Sequence, residues 1–531
     1  MWRYKKSKNK DVIEELLNKR EIEISELPNL LSAGSCYKHN PMEMKGVSAF
    51  INRMDLAIKN KDEVLVYGDS DTDGVCSCYV MVDGLVSLGL KVHHLIGDRS
   101  KFGFGLTKLS IDAVITEFPF VSVIITTDNG SDSYEAVEYA KTKGLEVIVT
   151  DHHECPNPPD CIVINPKQKD CSYPFSNLCG AGVVYKVIEG LFKSLGKLDK
   201  DIEQYLDIVA VATIGDVVSL LDENRYFAKK GLEMLKTSER PLFEHVKADR
   251  KIINEDFVGY TLVPTINSAG RLKSGELAYQ AMCGDKNSIL ELIETNEERK
   301  LLSNEGFQLA TTKGIDVSHN IIIIKSDDIH PGVGGIVAGK LKEEYDLPSI
   351  VLTKENGQYK GSMRSVPWLN CFDYLTAMKE YLKKFGGHPM AGGLSIDENQ
   401  IENFKKASYE YIKELAKTTD ISNAKYLDVV LEPKEISLDM IRNIERLRPF
   451  GAEFEKPVFG LRNFKVQSAN RMGELKNHLK IRGEAIDVVM FNCEDLKIDA
   501  EPGNILKIVG YPSINEYKGS LYIQFMAKEF I

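Results

Sequence analysis

An alternation of short β-branched runs with amphipathic segments, between residues 63 and 216, constrains the fold of this chain more than any other feature. The runs VLVY, VSVIITTD and EVIVTD are each followed by a stretch with helical periodicity or by a loop. Such alternation predicts a parallel sheet, because parallel strands need long crossover connections that helices supply. Open α/β sheets place their functional side chains at the carboxyl ends of the strands. We therefore expect a functional site at the ends of these runs.

Length and composition define the class of protein. A chain of 531 residues exceeds the size of one hydrophobic core, so two to four domains are expected. It has 43% hydrophobic and 27% charged residues and no run of about 18 uncharged apolar residues, which predicts a globular protein without a membrane span. The basic N-terminus, MWRYKKSKNK, lacks the apolar core of a secretory signal and predicts a cytoplasmic location. With a net charge of −11, any nucleic acid must be held by local basic patches.

Three segments follow the first α/β domain, which we assign to residues 1–225. Residues 226–315 are charged, have helical periodicity and include one long predicted helix that connects domains. Residues 316–418 begin with the strand IIIIK and contain the glycine-rich HPGVGG and FGGHPMAGG, which indicates a second α/β domain that binds substrate. Residues 425–531 consist of short strand-like runs that fit a closed, OB-like β-barrel.

Clustered carboxylates follow the first predicted strand. Asp69, Asp71 and Asp73 alternate along the turn into the next helix, and three neighbouring anions repel one another unless a cation neutralises them. The same spacing opens an EF-hand calcium loop. That loop needs a glutamate at its twelfth position, where this chain has Val80. The sequence therefore predicts a divalent-metal site of another kind.

Two more strand ends carry side chains that bind metals. The second strand ends at Asp128, and the third is followed by Asp151, His152 and His153. Because parallel strands bring their carboxyl ends to one edge of the sheet, these groups are expected to meet the aspartate cluster. A mixture of carboxylate oxygens and imidazole nitrogens favours manganese over calcium.

The order of these motifs resembles the DHH phosphoesterase superfamily. Its four motifs are matched by GDSDTDG at 68–74, by Asp128, by Asp-His-His at 151–153 and by ATIGDVV at 212–218. Within that superfamily the chain is similar to the RecJ single-stranded-DNA exonucleases over nearly its whole length. The motifs of this second resemblance are DR at 98–99, FGFGL at 102–106, NSAGRL at 267–272, HPGV at 330–333, GSMRS at 361–365, FGGH at 385–388, RPFG at 448–451, PVF at 457–459 and HLK at 478–480.

The resemblance implies a two-metal centre that holds Mn²⁺, with Mg²⁺ as the alternative ion. It implies Asp69 and Asp71 as ligands of one metal and Asp128 as the bridge between both. The remaining ligands, of the second metal, are Asp73, His152 and Asp216. Some members of the family carry a histidine where this chain has Tyr67, which leaves the ligands of the first metal open. The implied catalytic residues are Asp73, Asp128 and His153, the last of which directly follows the ligand His152 in the sequence.

The resemblance also implies an activity, which is 5′-to-3′ hydrolysis of single-stranded DNA to 5′-mononucleotides in DNA repair and recombination. A single-strand-binding protein and a helicase are candidate partners. In this scheme residues 1–225 are the DHH catalytic domain, 316–418 the DHH-associated domain and 425–531 a nucleic-acid-binding domain. The residues implied in holding a terminal phosphate are Arg99 and Arg271, both expected from the first domain, together with Ser362, Arg364, Gly387 and His388.

Barrel aromatics and two alternative functions complete the set of hypotheses. One or two of the barrel's aromatic residues are expected to stack on bases, the candidates being Phe450, Phe459, Tyr511, Tyr517 and Tyr522. The first alternative function is a phosphodiesterase for short oligonucleotides or cyclic dinucleotides. The second is a non-catalytic replication scaffold, which would be expected to have lost metal ligands.

Overall fold

A computed structural model describes the chain except residues 1, 5–10, 33, 249, 313, 356, 422, 494–497 and 518, so most of the basic N-terminal stretch lies outside the described residues. The chain divides into two compact units. Unit 1 comprises Met1–Val263 with Lys425–Ile531, and unit 2 comprises Pro264–Ala424. The first and last of the predicted domains thus share a unit, and the predicted connector is divided between the two. No helix in the described ranges has the length and apolar character needed to cross a bilayer.

The five-stranded sheet of residues 63–164 in unit 1 is parallel throughout, as the alternating pattern predicted. Numbered in chain order, its strands are β2 Glu63–Gly68, β3 Lys91–Ile96, β4 Val121–Thr127, β5 Glu146–Thr150 and β6 Ile162–Ile164, arranged in the order β3-β2-β4-β5-β6. The apolar side chains of β2, β4 and β5 are almost completely buried, because helices cover both faces of the sheet.

Helices surround this sheet. They are α3 Val47–Asn60, α4 Thr72–Val86, α5 Lys108–Glu117, α6 Tyr134–Thr142, α7 Gly180–Ser194, α8 Asp199–Glu203, α9 Leu206–Gly215, α10 Asp222–Thr237, α11 Pro241–Lys247 and α12 Glu255–Phe257. Helix α4 begins directly after β2 because Asp71 caps it, accepting a hydrogen bond of 3.1 Å from Gly74 N–H. The same turn therefore starts a helix and displays the aspartate cluster.

The C-terminal barrel forms one mixed seven-stranded sheet. Its strands are β13 Val429–Leu431, β14 Phe459–Lys465, β15 Ser468–Met472, β16 His478–Arg482, β17 Asp487–Met490, β18 Ile505–Tyr517 and β19 Ser520–Phe530, in the order β13-β14-β18-β19-β17-β16-β15, and α19 Leu438–Arg446 packs beside it. The two long strands β18 and β19 pair in antiparallel fashion to a hairpin turn at Ser520. The predicted strand-like runs are thus confirmed.

The N-terminal segment packs onto this barrel. Strand β1 Trp2–Arg3 pairs with β12 Lys425–Tyr426, and helices α1 Val12–Lys19 and α2 Leu27–Ser32 contribute Leu16, Leu17 and Leu30 to the barrel core. The fully buried Arg225 of α10 donates hydrogen bonds to the carbonyl oxygens of Leu30, Leu447 and Pro449. The Arg225 side chain therefore links helix α10 to the N-terminal segment and to the segment that precedes β14 of the barrel.

Unit 2 contains the predicted second α/β domain and the long helix. Its strands are β7 Ile322–Ser326, β8 Ser349–Glu355, β9 Gln358–Arg364, β10 Lys384–His388 and β11 Ala391–Ile396, in the order β10-β11-β9-β8-β7. Its helices are α13, which spans Val263–Leu272 and begins at the unit boundary, α14 Gly275–Met282, α15 Lys286–Thr311, α16 Gly334–Tyr345, α17 Cys371–Ala377 and α18 Ile401–Leu415. Only β7 and β8 are parallel here; the other pairs are antiparallel.

Candidate active site

Two groups of metal-binding side chains meet at the carboxyl edge of the parallel sheet. In the first group, ligand atoms of Asp69, Asp71 and Asp128 all lie within 4.8 Å of one another. In the second group, the same limit encloses ligand atoms of Asp73, His152 and Asp216. These two groups contain all six side chains that the sequence suggested as ligands, and a third group of the same kind joins Asp128 and His152 to Asp151 and His153.

His152 lies between the two groups. Its Nε2 is 3.1 Å from Oδ1 of Asp128, 3.7 Å from Oδ2 of Asp216 and 3.8 Å from Oδ2 of Asp73. The Asp128 Oδ1 and the His152 Nε2 are buried and make no hydrogen bond to the described residues. Buried polar atoms without partners are costly unless another group satisfies them. These atoms fit a divalent cation, since carboxylate oxygen and neutral imidazole nitrogen are ligands that Mn²⁺ accepts.

The electrostatics of the site favour a cation as well. Burial and repulsion from the neighbouring aspartates raise the pKa of Asp71 to about 6 and that of Asp216 to about 8. The same causes raise the pKa of Asp128 well above its usual range. Burial lowers the pKa of His152 to about 4, which keeps the imidazole neutral and able to coordinate. A bound cation would stabilise the ionised carboxylates that burial disfavours.

Helix α7 holds one of the carboxylates in place. The backbone N–H groups of Gly180 and Ala181 donate to the two oxygens of Asp73, at 2.6 and 2.8 Å. These N–H groups belong to the first turn of a 15-residue helix, where the helix dipole favours an anion. The sequence analysis missed both residues, because they lie 107 and 108 positions from Asp73 and have no polar side chain that a motif could show.

Asp128 adopts a backbone conformation that few non-glycine residues adopt. Its φ is 63°, in the left-handed region, where aspartate is found more often than most residues. The next residue, Asn129, stabilises this turn by donating to the carbonyl oxygens of Tyr67 and Thr127. The turn directs the Asp128 side chain towards His152, so a local strain positions the central carboxylate.

Asp151, to which the family resemblance assigned no role, orients His153. Its Oδ1 is 2.7 Å from Nδ1 of His153, and its Oδ2 accepts a hydrogen bond of 2.9 Å from Ser131 N–H. Burial opposes the charge on His153, but the hydrogen bond and the charge of Asp151 raise its pKa to about 9. His153 is therefore a cation at neutral pH, placed beside a metal-binding group and partly open to solvent.

Tyr67 and Arg99 concern the first group of possible ligands, which contains Asp69. The Tyr67 hydroxyl donates to the carbonyl oxygen of Gly105, and burial raises its pKa to about 12, so it offers no anionic ligand at neutral pH. The Arg99 Nη2 lies 2.7 Å from Oδ2 of Asp69, and its guanidinium lies over the ring of Phe104. The phosphate-binding candidate Arg99 thus contacts an expected metal ligand directly.

The other phosphate-binding candidates lie in unit 2, around the start of α16. There the Arg364 and Ser362 side chains lie close to the backbone of two glycines. A Cβ atom added to Gly335 would stand 3.0 Å from Nη2 of Arg364, and one added to Gly334 would stand 3.8 Å from Oγ of Ser362. The backbone of Arg271 approaches Gly332, just before α16, so closely that a Cβ atom added to Gly332 would stand 2.1 Å from the Arg271 carbonyl oxygen. Arg271 therefore belongs to unit 2, which corrects the expectation that it comes from the first domain.

Arg364 shares one face of the sheet with His388. Arg364 is paired with Ala391 of β11, and Ala391 is paired with His388 of β10, so the three residues form one row across the sheet. Gly387, beside His388, has a φ of 153°, and a Cβ there would stand 2.4 Å from the Ala391 carbonyl oxygen. Burial lowers the pKa of Arg364, and the guanidinium makes no ion pair with any described carboxylate. A desolvated cation beside a helix start is suited to an anion.

Comparison with known proteins places the chain in a family. Residues 63–213 match the DHH family N-terminal domain, residues 318–414 the DHHA1 domain and residues 427–529 the RecJ OB domain. The single-stranded-DNA-specific exonuclease RecJ of Bacillus subtilis is 34% identical to this chain over 98% of the chain and 67% of the relative. The chain belongs to the RecJ family. The resemblance noted from the motifs is thereby confirmed, and the family is one of hydrolases.

Other RecJ proteins agree with this assignment. The RecJ exonuclease of Haemophilus influenzae is 28% identical over 92% of the chain and 91% of the relative. The crystal structure of RecJ in complex with Mn²⁺ from Thermus thermophilus superimposes with a TM-score of 0.85 at 25% identity, covering 100% of this chain and 79% of that one. The predicted fold class, with its DHH, DHH-associated and OB parts, is confirmed by this match.

Proposed function

We propose that this RecJ-family chain is a manganese-dependent exonuclease that hydrolyses single-stranded DNA from the 5′ end to 5′-mononucleotides. The observation that carries the proposal is that Asp128 Oδ1 and His152 Nε2 face each other at 3.1 Å, buried and without a hydrogen bond to any described residue, among further carboxylates. The RecJ relatives are named single-stranded-DNA-specific exonucleases, and one was solved with Mn²⁺. Mg²⁺ is the alternative ion.

The proposed chemistry follows from the arrangement of charges. Asp69, Asp71 and Asp128 would hold one cation, and Asp73, His152, Asp216 and the bridging Asp128 the other. When bound, two divalent cations lower the pKa of a water molecule and neutralise charge on the phosphate oxygens. The imidazolium of His153, fixed by Asp151, donates a hydrogen bond to the scissile phosphate. No nucleophile from the protein is needed.

The start of α16 in unit 2 supplies the proposed recognition of the strand terminus. Arg364 donates to the 5′ phosphate with its planar fork, and Ser362 and the N–H groups of Gly334 and Gly335 add donors. Arg271 and His388 are the further candidates in this unit, with Gly387 allowing close approach of the backbone. Arg99 is the phosphate-binding candidate of unit 1, where it contacts Asp69 of the metal-binding cluster.

The remaining parts of the proposal concern context. Residues 1–225 would catalyse, 226–315 connect, 316–418 bind the strand terminus and 425–531 bind the strand beyond it. We place the enzyme in the cytoplasm, acting in DNA repair and recombination, with a single-strand-binding protein and a helicase as candidate partners. The barrel disfavours a dinucleotide phosphodiesterase, because a dinucleotide needs no extended binding module, and the complete set of ligands disfavours a non-catalytic scaffold.

The test is Mn²⁺-dependent hydrolysis of a 5′-phosphorylated single strand by the wild type and by Asp128→Ala. The variant is expected to lose cleavage. In the variant without metal, the relief of repulsion between carboxylates is opposed by the cost of alanine at a φ of 63°, so its stability should change little, while its thermal stabilisation by Mn²⁺ should shrink. Asp170→Ala, which removes an exposed carboxylate paired with Lys45, is the control and should behave as wild type. Substantial Mn²⁺-dependent cleavage by Asp128→Ala would exclude the two-metal assignment.

Substrate length separates the alternatives. The wild type should hydrolyse a long strand more efficiently than a dinucleotide, with mononucleotides released from the 5′ end. Faster turnover of the dinucleotide would support the small-substrate phosphodiesterase. The absence of any metal-dependent cleavage by the wild type would support the scaffold.

A further inference from the structure

Two half-buried cations in unit 2 are held by neutral partners. Arg299 of α15 donates from Nε and Nη2 to Oδ1 of Asn296, at 3.0 and 2.9 Å. Lys340 of α16 donates from Nζ to Oδ1 of Asn304 at 2.7 Å. An amide oxygen fixes the direction of a cation without neutralising its charge, so both cations keep a full positive charge in a fixed position.

The absence of anionic partners here is unusual for this chain. The protein carries a net charge of −11, and α15 alone has five glutamates. Among the described residues, neither Arg299 nor Lys340 forms an ion pair with a carboxylate, whereas the neighbouring Lys300 pairs with Glu297 at 2.6 Å. The acidic residues of the helix are therefore available, yet none of those described forms an ion pair with either cation, and Glu297 acts on Arg299 only through its more distant charge.

The two cations also destabilise each other. Lys340 Nζ lies 3.5 Å from the carbonyl oxygen of Ser303, which is four residues after Arg299 on α15. Burial lowers the pKa of both side chains, the charge of Glu297 opposes this at Arg299, and the charge of Arg299 lowers the pKa of Lys340 further. Two like charges kept close together in partly desolvated positions are unfavourable unless an anion joins them. The described neighbours relieve this cost only in part: Lys340 lies over the ring of Phe307 and donates to the Ser303 carbonyl oxygen, while Asn296 donates to the buried Thr265 hydroxyl.

We propose that Arg299 and Lys340 bind a backbone phosphate within the DNA strand, a second phosphate site separate from the one for the terminus. The guanidinium fork and the ammonium suit the oxygens of a phosphodiester. Lys340 is six residues after Gly334, which places it about 9 Å along α16 from the helix start and therefore at a position separate from the terminal phosphate. The inference rests on the proposed function, because it takes the anion to be part of the substrate strand.

Binding is measured with metal chelated, so that no strand is cut, for 5′-phosphorylated single strands of increasing length at several salt concentrations. Each phosphate contact on a single strand contributes about 0.7 to the slope of log K against log salt. Arg299→Gln and Lys340→Gln should each flatten the slope by about that amount on long strands and leave it unchanged on the shortest. Between about 50 and 200 mM salt, each variant should then lose roughly two- to threefold less affinity than wild type.

Matched controls separate binding from folding. Lys300→Gln removes a cation of the same helix that is already paired, and its slope should equal that of wild type. Arg299→Lys keeps the charge and should retain the slope, which a purely structural role of Arg299 would not predict. Thermal unfolding of each variant checks that it is folded.

The outcomes are distinct. Slopes of Arg299→Gln and Lys340→Gln equal to wild type on every strand would overturn the inference. A second measurement tests whether inorganic phosphate competes with short and long strands for binding. If it competes equally with both, and if Arg299→Gln and Lys340→Gln abolish this competition, the site binds free anions and the inference is overturned. Failure of the wild type to hydrolyse DNA with Mn²⁺, measured in parallel, would instead overturn the proposed function, whatever the slopes.

Discussion

Gly180 at the start of α7 lies against the side chain of Asp128, so closely that a Cβ on Gly180 would stand 2.7 Å from the Asp128 Cβ and 2.9 Å from its Oδ1. The same glycine donates its backbone N–H to Asp73. Gly180 therefore supports two of the six proposed metal ligands. It donates its N–H to Asp73, and because it has no Cβ it leaves room for the Asp128 side chain.

We predict that Gly180→Ala displaces Asp128 and weakens metal binding by about 10- to 100-fold, the range found when residues that support metal ligands are changed. Calorimetric titration with Mn²⁺ measures this directly. Gly182→Ala is the matched control, because a Cβ there would meet its neighbours at 3.4 Å or more, an ordinary contact. Equal Mn²⁺ affinity of Gly180→Ala and wild type would show that Asp128 can move without loss.

The Asp151–His153 pair predicts a pH dependence of stability in the metal-free protein. The pKa of His153 is raised from 6.5 to about 9 in the fold, so its contribution is fully present below pH 6.5 and is lost as the pH rises through 9. After a reduction for solvent screening, we expect a loss of about 1–2 kcal/mol.

Chemical denaturation with a chelator present, at pH values from 6 to about 9.5, measures this loss. Asp151→Asn removes the charge that holds the proton on His153 and should make the dependence shallower, leaving the part that comes from the raised pKa of Asp216. A wild-type profile that stays flat between these pH values would contradict the prediction.

The terminal-phosphate hypothesis predicts a specific defect in Arg364→Ala. The preference for a 5′-phosphorylated strand over a 5′-hydroxyl strand should fall by about 1.5–3 kcal/mol, the scale of a charge-assisted hydrogen bond. Lys360→Ala, which removes a cation of the same strand β9 that is paired with Glu355, should keep the preference. The measurement is kcat/KM on both substrates. If Arg364→Ala retains the full preference, the phosphate is recognised elsewhere.

The barrel aromatics can now be separated by exposure. Phe450 and Phe459 are buried in the core and Tyr511 donates to Glu445, whereas Tyr517 and Tyr522 are 60% and 53% exposed. The hairpin register places Tyr522 opposite Asn515 and Tyr517 opposite Ser520, so both tyrosines lie on one face of the β18–β19 ribbon.

We predict that Tyr517→Ala and Tyr522→Ala each weaken binding of long strands by about 1–3 kcal/mol, the value of one stacked base. Leu521→Ala, on the opposite face of the same hairpin, is the control. These point variants are preferable to a chain that ends before the barrel, since Leu16, Leu17 and Leu30 pack in the barrel core and would be exposed by its removal. Unchanged affinities in both tyrosine variants would assign the ribbon another role.

The sequence predicted those parts of the site that depend on local order. Asp71, Asp128 and His152 follow β2, β4 and β5, which are neighbours in the sheet although the unpredicted β3 lies between β2 and β4 in the chain. Parallel strands that share a sheet bring their carboxyl ends to one edge. The long helix and the barrel strands were equally predictable, because periodicity and β-branched runs are properties of neighbouring residues.

Only the tertiary structure decided which distant residues support these groups. The Gly180 contact with Asp73 joins residues 107 positions apart, and Arg20 of the N-terminal segment pairs with Asp428 of the barrel across 408 positions. The pairing of Arg99 with Asp69 and the location of Arg271 beside the start of α16 were also absent from the sequence patterns. Contacts of this kind arise from packing of complete elements, where backbone N–H groups and missing Cβ atoms matter as much as side chains. A local pattern describes the element to which a residue belongs, and packing selects the partner that it meets.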